Sequence, residues 1–274
     1  MTNFSVLLSV YKKENSSYLD AALASILVKQ SLLPNEVIIV KDGPLNEKLN
    51  KVLEKYLNLF SSTIKIVGYE TNKGLGFALN FGLNKCTNEI IFRMDTDDIC
   101  YPNRFEIQMI EFRKNPNLTL LGGYMTEFIK EETNIISQKK VPLDVLLIKK
   151  RMRFSNPFNH PTIMYNKTDI LSLGGYNADF HGFEDYELWA RVINANLKVK
   201  NMPFNLVNFR VNDSQINRRK GGGYIKREIK LIKRLFDLGL ITRITLCLKV
   251  ILSFFIRVLP SPLFKKLTLL YRKF

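Results

Sequence analysis

Residues 90–98 of this 274-residue chain read I-I-F-R-M-D-T-D-D, an apolar run followed at once by three carboxylates in four residues. The apolar run predicts a buried strand, and the acidic group stands where that strand ends. Close carboxylates repel one another by roughly 1 to 4 kcal/mol per pair, so the stretch favours a bound cation. Oxygen ligands without a neighbouring His or Cys favour Mg²⁺ or Mn²⁺ over Zn²⁺. The simpler alternative is a helix N-cap followed by an acidic turn.

The residues before this stretch alternate between predicted strands and helices. Strands are predicted at residues 4–10, 36–41, 63–68 and 89–95, with a helix in each interval. Such alternation predicts an α/β fold with a mainly parallel sheet covered by helices on both faces. In these sheets ligands bind beyond the carboxyl ends of the strands. Four polar segments lie at those ends and are expected to meet in one crevice: Tyr11, Asp42, residues 69–76 and residues 95–98.

The pattern changes after Pro116. Residues 118–128 and 134–141 predict a hairpin, followed by a helix near residues 143–153, so the second half of the sheet is expected to be mixed. A loop at residues 156–162, N-P-F-N-H-P-T, carries His160. Asp185 follows at the start of a helix that bears Trp189, where the helix dipole keeps a carboxylate ionised.

Basic residues are concentrated at the end of the chain. The formal net charge is +16, and residues 215–274 carry 15 Lys and Arg against Glu228 and Asp237, a net charge of +13. The first 214 residues therefore carry only +3. A tail of this kind is expected to bind an anionic partner.

The tail also has a helical apolar pattern. Residues 244–259 form a largely apolar segment in which polar residues recur every four positions, at Thr245, Lys249, Ser253 and Arg257. A bilayer span needs roughly 20 apolar residues, so this segment is too short and too charged to cross. In-plane attachment to an anionic membrane surface is favoured, because apolar burial and attraction to headgroups add. The alternative is that one tail helix packs on the domain and the other caps it.

Two features predict a cytoplasmic location. The three cysteines, Cys86, Cys100 and Cys247, are odd in number and include no C-x-x-C pair, so neither a disulfide framework nor a zinc site is expected. The apolar run at residues 4–11 is too short for a signal peptide and is followed by charged residues, which favours a first strand. We therefore expect a cytoplasmic protein that attaches peripherally to the inner face of the cell membrane.

Motifs along residues 4–215 together resemble those of family 2 glycosyltransferases with the GT-A fold. The likeness is greatest to the bacterial O-antigen and exopolysaccharide enzymes of the amylovoran type. It divides the chain into a GT-A domain at residues 1–214 and a basic amphipathic tail at residues 215–274. The motifs are S-V-Y (9–11), V-K-D-G-P (40–44), N-K-G-L-G-F-A-L-N (72–80), R-M-D-T-D-D (93–98), N-H-P-T (159–162) and G-G-Y (174–176) followed by F-E-D-Y-E-L-W (183–189).

The resemblance implies roles on the donor side of the crevice. It places Asp95 towards the ribose of a nucleotide sugar and Asp97 with Asp98 around a Mg²⁺ or Mn²⁺ ion that bridges the two phosphates, without deciding which of the two aspartates is the direct ligand. Asp42 matches a contact to uracil or ribose. Three further residues would lie beside it, Tyr11, Glu14 and Lys73. The alternatives are a turn-forming Asp42 and solvated surface charges at Glu14 and Lys73.

On the acceptor side, the resemblance makes Asp185 the general base of an inverting transfer. Such a reaction needs a carboxylate across the anomeric carbon from the leaving group, where it can take the proton of the acceptor hydroxyl. Glu184 would bind the acceptor or hold the loop. His160 is predicted to contact substrate, although a lone His is often structural. Arg218, with Arg219, would close over the diphosphate, because Arg pairs well with phosphate oxygens.

Two motifs depart from the family pattern. Asn212 stands where related enzymes often carry a His that completes the metal shell, and an amide is a poorer ligand. The metal site is then expected to contain only carboxylates, phosphates and water. Processive members carry Q-x-x-R-W, whereas here Gln215 and Arg218 are followed by Arg219. One sugar added per encounter is therefore expected.

The resemblance implies transfer of a hexose, galactose or glucose, from a UDP-sugar donor to a saccharide carried on a polyprenyl diphosphate. A sugar-nucleotide nucleotidyltransferase is the alternative enzyme, but it usually opens with a Gly-rich loop, which S-V-Y at residues 9–11 is not. Nucleic-acid binding through the tail is the non-enzymatic alternative. We expect no nucleic-acid partner, because the apolar spacing of the tail suits lipid better.

Overall fold

The N-terminal half of the chain forms the predicted parallel sheet. The structure is a computed structural model that describes residues 2–212 and 221–259. β1 (Phe4–Val10) lies between β2 (Glu36–Asp42) and β4 (Ile90–Arg93), and β3 (Ile64–Tyr69) pairs with the other edge of β2. All of these pairs are parallel. The helices between them are α1 (Ser16–Leu27), α2 (Glu47–Leu59) and α3 (Leu75–Leu83).

The two faces of this sheet are buried in two separate clusters. Leu7 and Val40 point to the cluster that contains α3, whereas Val6, Leu8 and Ile39 point to the cluster that contains α1 and α2. Successive side chains of a strand alternate between the faces of a sheet, so a strand covered on both sides must be apolar throughout. This requirement explains the continuous apolar runs of β1 and β2.

The second half of the sheet is mixed, as predicted. β6 (Leu120–Phe128) and β7 (Ile135–Lys139) form the expected antiparallel hairpin, and β6 also pairs in parallel with the long strand β9 (Val199–Arg210). The other strands and α-helices before the tail are β5 (Ile99–Cys100), α4 (Arg104–Lys114), α5 (Val145–Met152), β8 (Met164–Asn166), α6 (Lys167–Ser172) and α7 (Glu184–Asn194). The full strand order is β3-β2-β1-β4-β8-β6-β9-β5, with β7 beside β6.

The basic tail contributes two described helices, α8 (Gly222–Asp237) and α9 (Arg243–Val258). Leu231 and Leu235 of α8 belong to the same core cluster as Trp189, and Arg234 donates a 3.1 Å hydrogen bond to the buried carboxylate of Glu187. The first tail helix therefore packs on the domain. Within residues 2–212 and 221–259, no helix combines the length and the apolar character that a membrane span requires.

Candidate active site

The acidic cluster lies directly after β4, at the carboxyl end of the parallel strands. Arg93, the last residue of β4, is 2% exposed and donates from both terminal nitrogens to the carboxylate of Asp95. This guanidinium supplies part of the positive charge that the sequence predicts among the carboxylates. It pairs with Asp95, so the negative charges of Asp97 and Asp98 still favour a further cation.

Asp98 is held by the sheet. Its Oδ1 accepts a 2.9 Å hydrogen bond from the backbone N–H of Arg210, the last residue of β9. Asp98 directly precedes β5, so this bond lies next to the backbone pairing of β5 with β9. The other oxygen, Oδ2, is buried and has no hydrogen-bond partner among the described residues. A buried carboxylate oxygen without a partner is costly, and a metal ion would satisfy it.

The electrostatics of the cluster agree with a cation site. Burial, followed by the charge of Asp95, raises the pKa of Asp97 to about 7, and burial with the charge of Asp97 raises the pKa of Asp98 well above its ordinary value. Ligand oxygens of Asp95, Asp97 and Asp98 all lie within 4.8 Å of one another. These residues therefore fit a hard divalent ion such as Mn²⁺ or Mg²⁺.

The loop after β1 contacts this cluster. The carboxylate of Glu14 accepts a 2.9 Å hydrogen bond from the hydroxyl of Thr96, which lies between Asp95 and Asp97. Burial raises the pKa of Glu14, and the charge of Asp95 adds to this effect. Tyr11, at the start of the same loop, is 36% exposed. Glu14 thus lies against the acidic cluster, and the contact of Tyr11 and Glu14 with the nucleotide stays a prediction.

Asp42 anchors the next loop of the crevice. Its carboxylate accepts hydrogen bonds from the hydroxyl of Tyr69 at 2.8 Å, from the side chain of Asn72 at 2.8 Å and from the backbone N–H groups of Lys73 and Gly74 at 2.7 and 3.1 Å. The Nζ of Lys73 lies 4.5 Å from the ring centroid of Phe77. Asp42 therefore fixes the position of the loop that carries Lys73.

A substitution at Gly43 tests how tightly this loop is held. Gly43 has a φ of +82°, and a Cβ there would lie 2.7 Å from the backbone nitrogen of Asn72, so strain and overlap combine. We expect Gly43→Ala to destabilise the fold by about 2 to 4 kcal/mol. Gly174→Ala is the matched control, because its φ is +87° but nothing lies within 4 Å. It should lose only about 1 to 2 kcal/mol in urea denaturation, and equal losses would contradict the close approach.

Asp185 occupies the first turn of α7, as the sequence predicts. One carboxylate oxygen accepts a 2.7 Å hydrogen bond from the side chain of Asn156, and the other accepts one from the backbone N–H of Tyr186 at 2.7 Å. Burial raises the pKa of Asp185, against the lowering effects of the Tyr186 hydrogen bond and of the positive charge on Arg93. A carboxylate that is fixed in this way and has a raised pKa suits a general base.

Glu184 lies beside it and is more deeply buried. It is 5% exposed, and its Oε2 has no hydrogen-bond partner within the described part of the chain. Burial, followed by the charge of Asp185, raises the pKa of Glu184 to about 7. The ionised form of Glu184 therefore destabilises the free protein.

This pKa predicts a stability difference that depends on pH. Because the folded pKa of Glu184 is raised from 4.5 to about 7, its ionisation weakens the fold progressively between those values and fully above them. Glu184→Gln should raise the free energy of unfolding by about 1 to 3 kcal/mol at pH 8, and the gain should vanish below pH 4.5. Chemical denaturation at pH 8 and pH 4.5 measures the difference. The exposed Glu70→Gln should show no gain, and an equal gain there would contradict the assignment.

His160 lies in a group of aromatic side chains. Its Nε2 is 3.0 Å from the hydroxyl of Tyr176, and its ring centroid lies 6.0 Å from that of Trp189. Burial, followed by the charge of Arg93, lowers the pKa of His160 well below its ordinary value, so the ring is neutral at physiological pH. The structure thus gives His160 a packing role, while its contact with substrate stays a prediction.

Three residues of the site were not singled out from the sequence: Arg93, Asn156 and Arg210. The positive charge of Arg93 opposes the rise in pKa of Asp97 and Asp98 and also that of Glu184 and Asp185. A cation directly before an acidic run is the signal that would have identified it.

The side chain of Arg210 contacts the backbone of the acidic cluster. Its guanidinium carbon lies 3.8 Å from the ring centroid of Tyr18, and its Nε donates a 3.0 Å hydrogen bond to the backbone oxygen of Asp97. Its position in the sequence carried no signal for this contact. Arg218 and Arg219 lie outside the described residues, so their predicted contact with the diphosphate stays a prediction. Asn212 is described and follows β9.

Comparisons with known proteins agree with these features. Residues 5–174 match the family model for "Glycosyl transferase family 2". A relative in Erwinia amylovora, "Amylovoran biosynthesis glycosyltransferase AmsE", is 39% identical over 230 residues, which cover 84% of each protein. An Escherichia coli relative, "UDP-Gal:alpha-D-GlcNAc-diphosphoundecaprenol beta-1,3-galactosyltransferase", is 35% identical over 261 residues, 94% of this chain and 92% of that protein.

The fold is also similar to solved structures. The structure of GalNAc-T7 with UDP, GalNAc and Mn²⁺ has a TM-score of 0.67 at 16% identity. The likeness covers 85% of this chain and 48% of that chain, so this chain spans about half the length of that protein.

Proposed function

The chain belongs to glycosyl transferase family 2, and we propose that it transfers one hexose from a UDP-sugar to a saccharide carried on a lipid diphosphate, with inversion at the anomeric carbon. It is a glycosyltransferase with the GT-A fold. The proposed product is an intermediate of a bacterial surface polysaccharide. The observation that carries the proposal is the geometry of two acidic groups. Ligand oxygens of Asp95, Asp97 and Asp98 lie within 4.8 Å of one another, which suits a metal ion, and the carboxylate of Asp185 is fixed by Asn156 and the N–H of Tyr186, which suits a base.

On the donor side, Asp97 and Asp98 would hold the ion next to the diphosphate, and Asp95 would contact the ribose. When bound, Mn²⁺ or Mg²⁺ supplies positive charge that stabilises the departing diphosphate. Arg93 keeps the carboxylate of Asp95 in place and adds a fixed positive charge to the same region. Support for a metal comes from the partnerless Oδ2 of Asp98 and from the Mn²⁺ in the similar GalNAc-T7 structure.

The nucleotide would lie along the loops that follow β1 and β3. Asp42 holds residues 72–74 through its hydrogen bonds, and Lys73 would then lie at the edge of the crevice. Glu14 contacts Thr96 from the loop after β1, and Tyr11, which begins that loop, would face the same region. We assign these residues to the uracil and ribose of the donor.

On the acceptor side, Asp185 would take the proton of the acceptor hydroxyl. The hydroxyl oxygen then forms a bond to the anomeric carbon, the bond from that carbon to the diphosphate breaks, and the electron pair leaves with UDP. Asn156 and the N–H of Tyr186 hold the carboxylate of Asp185 in a fixed orientation for this transfer. Glu184 would bind the acceptor sugar, which would give its buried oxygen a hydrogen-bond donor.

The lipid-linked acceptor is supported by two observations. The Escherichia coli relative acts, by its description, on GlcNAc-diphosphoundecaprenol. The last 60 residues of this chain carry a net charge of +13, which suits an anionic membrane that contains such acceptors. The same relative favours a galactosyl donor and a β1,3 bond to an N-acetylhexosamine.

A donor and acceptor screen tests this function. Purified protein would be incubated with radiolabelled UDP-galactose or UDP-glucose, Mn²⁺ and a synthetic GlcNAc-diphosphate lipid. We expect transfer of one labelled hexose, release of UDP and loss of activity in EDTA. Release of pyrophosphate from a nucleoside triphosphate and a sugar phosphate, without hexose transfer, would instead establish a nucleotidyltransferase.

A further inference from the structure

Helix α9 has its polar side turned towards the protein. Lys249 donates hydrogen bonds of 3.0 Å to the backbone oxygens of Arg153 and Phe154, at the end of α5. Ser253 is 6% exposed and donates to the carboxylate of Glu228 on α8. These two residues belong to the polar stripe that recurs every four positions. In an amphipathic helix on the surface of a soluble domain, such a stripe normally faces water.

The opposite side of α9 is apolar and exposed. Ile244, Leu248, Leu252 and Phe255 are 75%, 62%, 58% and 67% exposed, and Ile251 and Phe254 are more than half exposed. At 3.6 residues per turn these side chains lie within an arc of about 160°. Phe154, beside Lys249, is a further exposed apolar side chain, at 65%. Contiguous apolar surface of this kind marks an interaction site.

Exposed basic residues lie on the tail helices and at the end of α5. Residues 222–258 contain eight Lys and Arg against Glu228 and Asp237. Arg243 at the start of α9 is exposed, as are Lys149, Lys150 and Arg153 at the end of α5. Two copies of this face would bring like charges together, whereas an anionic bilayer offers both apolar chains and opposite charge.

We propose that the outward face of α9, together with Phe154, is the surface by which the protein lies on an anionic phospholipid bilayer. The 16 residues of α9 extend about 24 Å, less than the roughly 30 Å of the hydrocarbon core, so the helix lies in the plane of the interface. The polar side of α9 forms hydrogen bonds to the end of α5 and to α8, so the apolar side is the one that faces outward. This inference deepens the proposed transfer to a lipid-linked acceptor and rests on it for its purpose, but its test does not require activity.

Flotation with vesicles tests the surface. The full chain would be mixed with vesicles of phosphatidylcholine and phosphatidylglycerol, and separately with vesicles of phosphatidylcholine alone. We expect the protein to float with the anionic vesicles and to bind the neutral ones far less. Leu248→Gln/Leu252→Gln/Phe255→Gln should lower the partition coefficient by at least about a hundredfold, because three large apolar side chains lose their burial.

A second triple variant tests whether adding polar side chains elsewhere on the surface also reduces flotation. Val28→Gln/Leu33→Gln/Leu59→Gln changes three apolar residues of similar exposure, 61%, 53% and 65%, far from α9 in sequence. It should float like the unmodified protein. Unchanged flotation of the α9 variant, or equal losses in both variants, would overturn the proposal. Light scattering that showed a dimer broken by the α9 variant would identify a second copy as the occupant instead.

Cys247 provides an independent readout without any substitution. It is exposed on the outward side of α9, whereas Cys86 and Cys100 are buried, so a polarity-sensitive thiol probe should label Cys247 selectively. We expect a blue shift of the probe on addition of anionic vesicles, and no shift would contradict insertion. Transfer to a short-chain, water-soluble acceptor should be equal in the α9 variant and the unmodified protein. If neither protein transferred hexose, the proposed function would be contradicted. The flotation result would still decide whether α9 binds the membrane.

Discussion

An Asp185→Asn enzyme should bind the UDP-sugar normally and lose about 10³-fold in kcat for transfer. The side-chain amide cannot take the proton of the acceptor hydroxyl, and general bases contribute about 10² to 10⁴. The fold should persist with a loss of about 1 to 3 kcal/mol, because the one amide oxygen can accept the hydrogen bond from Asn156 or the one from the N–H of Tyr186, but not both. Initial rates at saturating donor, with donor affinity measured by calorimetry, separate the loss of chemistry from a loss of binding.

Glu184→Gln is the matched control for this substitution. It removes the neighbouring carboxylate, and we expect it to raise the KM for the acceptor more than it lowers kcat, since Glu184 is assigned to acceptor binding. A full rate in Asp185→Asn together with a 10³-fold loss in Glu184→Gln would assign the base to Glu184.

The pH profile gives a second readout of the same group. Burial raises the pKa of Asp185 from its ordinary value of 3.8, so the carboxylate accepts protons at a higher pH than an exposed Asp does. The rate should therefore rise with pH through an acid limb that lies above pH 3.8. The residual activity of Asp185→Asn should lack this limb.

The second large effect is expected at Asp98. Asp98→Asn should weaken Mn²⁺-dependent binding of UDP by at least about a hundredfold, because the buried Oδ2 would no longer be an anionic ligand. The new amide oxygen can keep the hydrogen bond from the N–H of Arg210, so the fold should not depend on the charge. Calorimetric titration of UDP with Mn²⁺ and with EDTA measures the effect.

Asp179→Asn provides the control for Asp98, because its carboxylate is 78% exposed and lies outside the acidic cluster. It should leave the affinity for UDP and its response to Mn²⁺ unchanged. Equal affinity of the unmodified protein for UDP in Mn²⁺ and in EDTA would contradict a metal-bound donor.

Much of the architecture could be predicted because it depends on the spacing of apolar residues along the chain. Continuous apolar runs such as β1 form strands that are buried on both faces, and their alternation with helices determines the parallel arrangement. The positions of Tyr11, Asp42 and Asp185 at element ends followed from the same alternation. These features are local in sequence, so a single chain reveals them.

The contacts that tune the site could not be predicted, because they join residues far apart in the chain. Asn156 reaches Asp185 across 29 residues, and the N–H of Arg210 reaches Asp98 across 112. The hydrogen bonds that join the carboxylate of Asp42 to the loop that carries Lys73 could not be predicted either, and the contact of Asp42 with the nucleotide stays a prediction. The orientation of α9 was also hidden, because periodicity shows that a helix has two faces without showing which one faces the protein.

The stereochemistry of the product shows whether the acceptor hydroxyl attacks the anomeric carbon directly. A reaction with α-linked UDP-galactose, Mn²⁺ and a synthetic GlcNAc-diphosphate lipid would be followed by proton NMR of the product. Direct attack with proton transfer to Asp185 predicts a β-linked galactoside, formed only with metal and nearly absent in Asp185→Asn. An α-linked product, or undiminished transfer in both EDTA and Asp185→Asn, would contradict it.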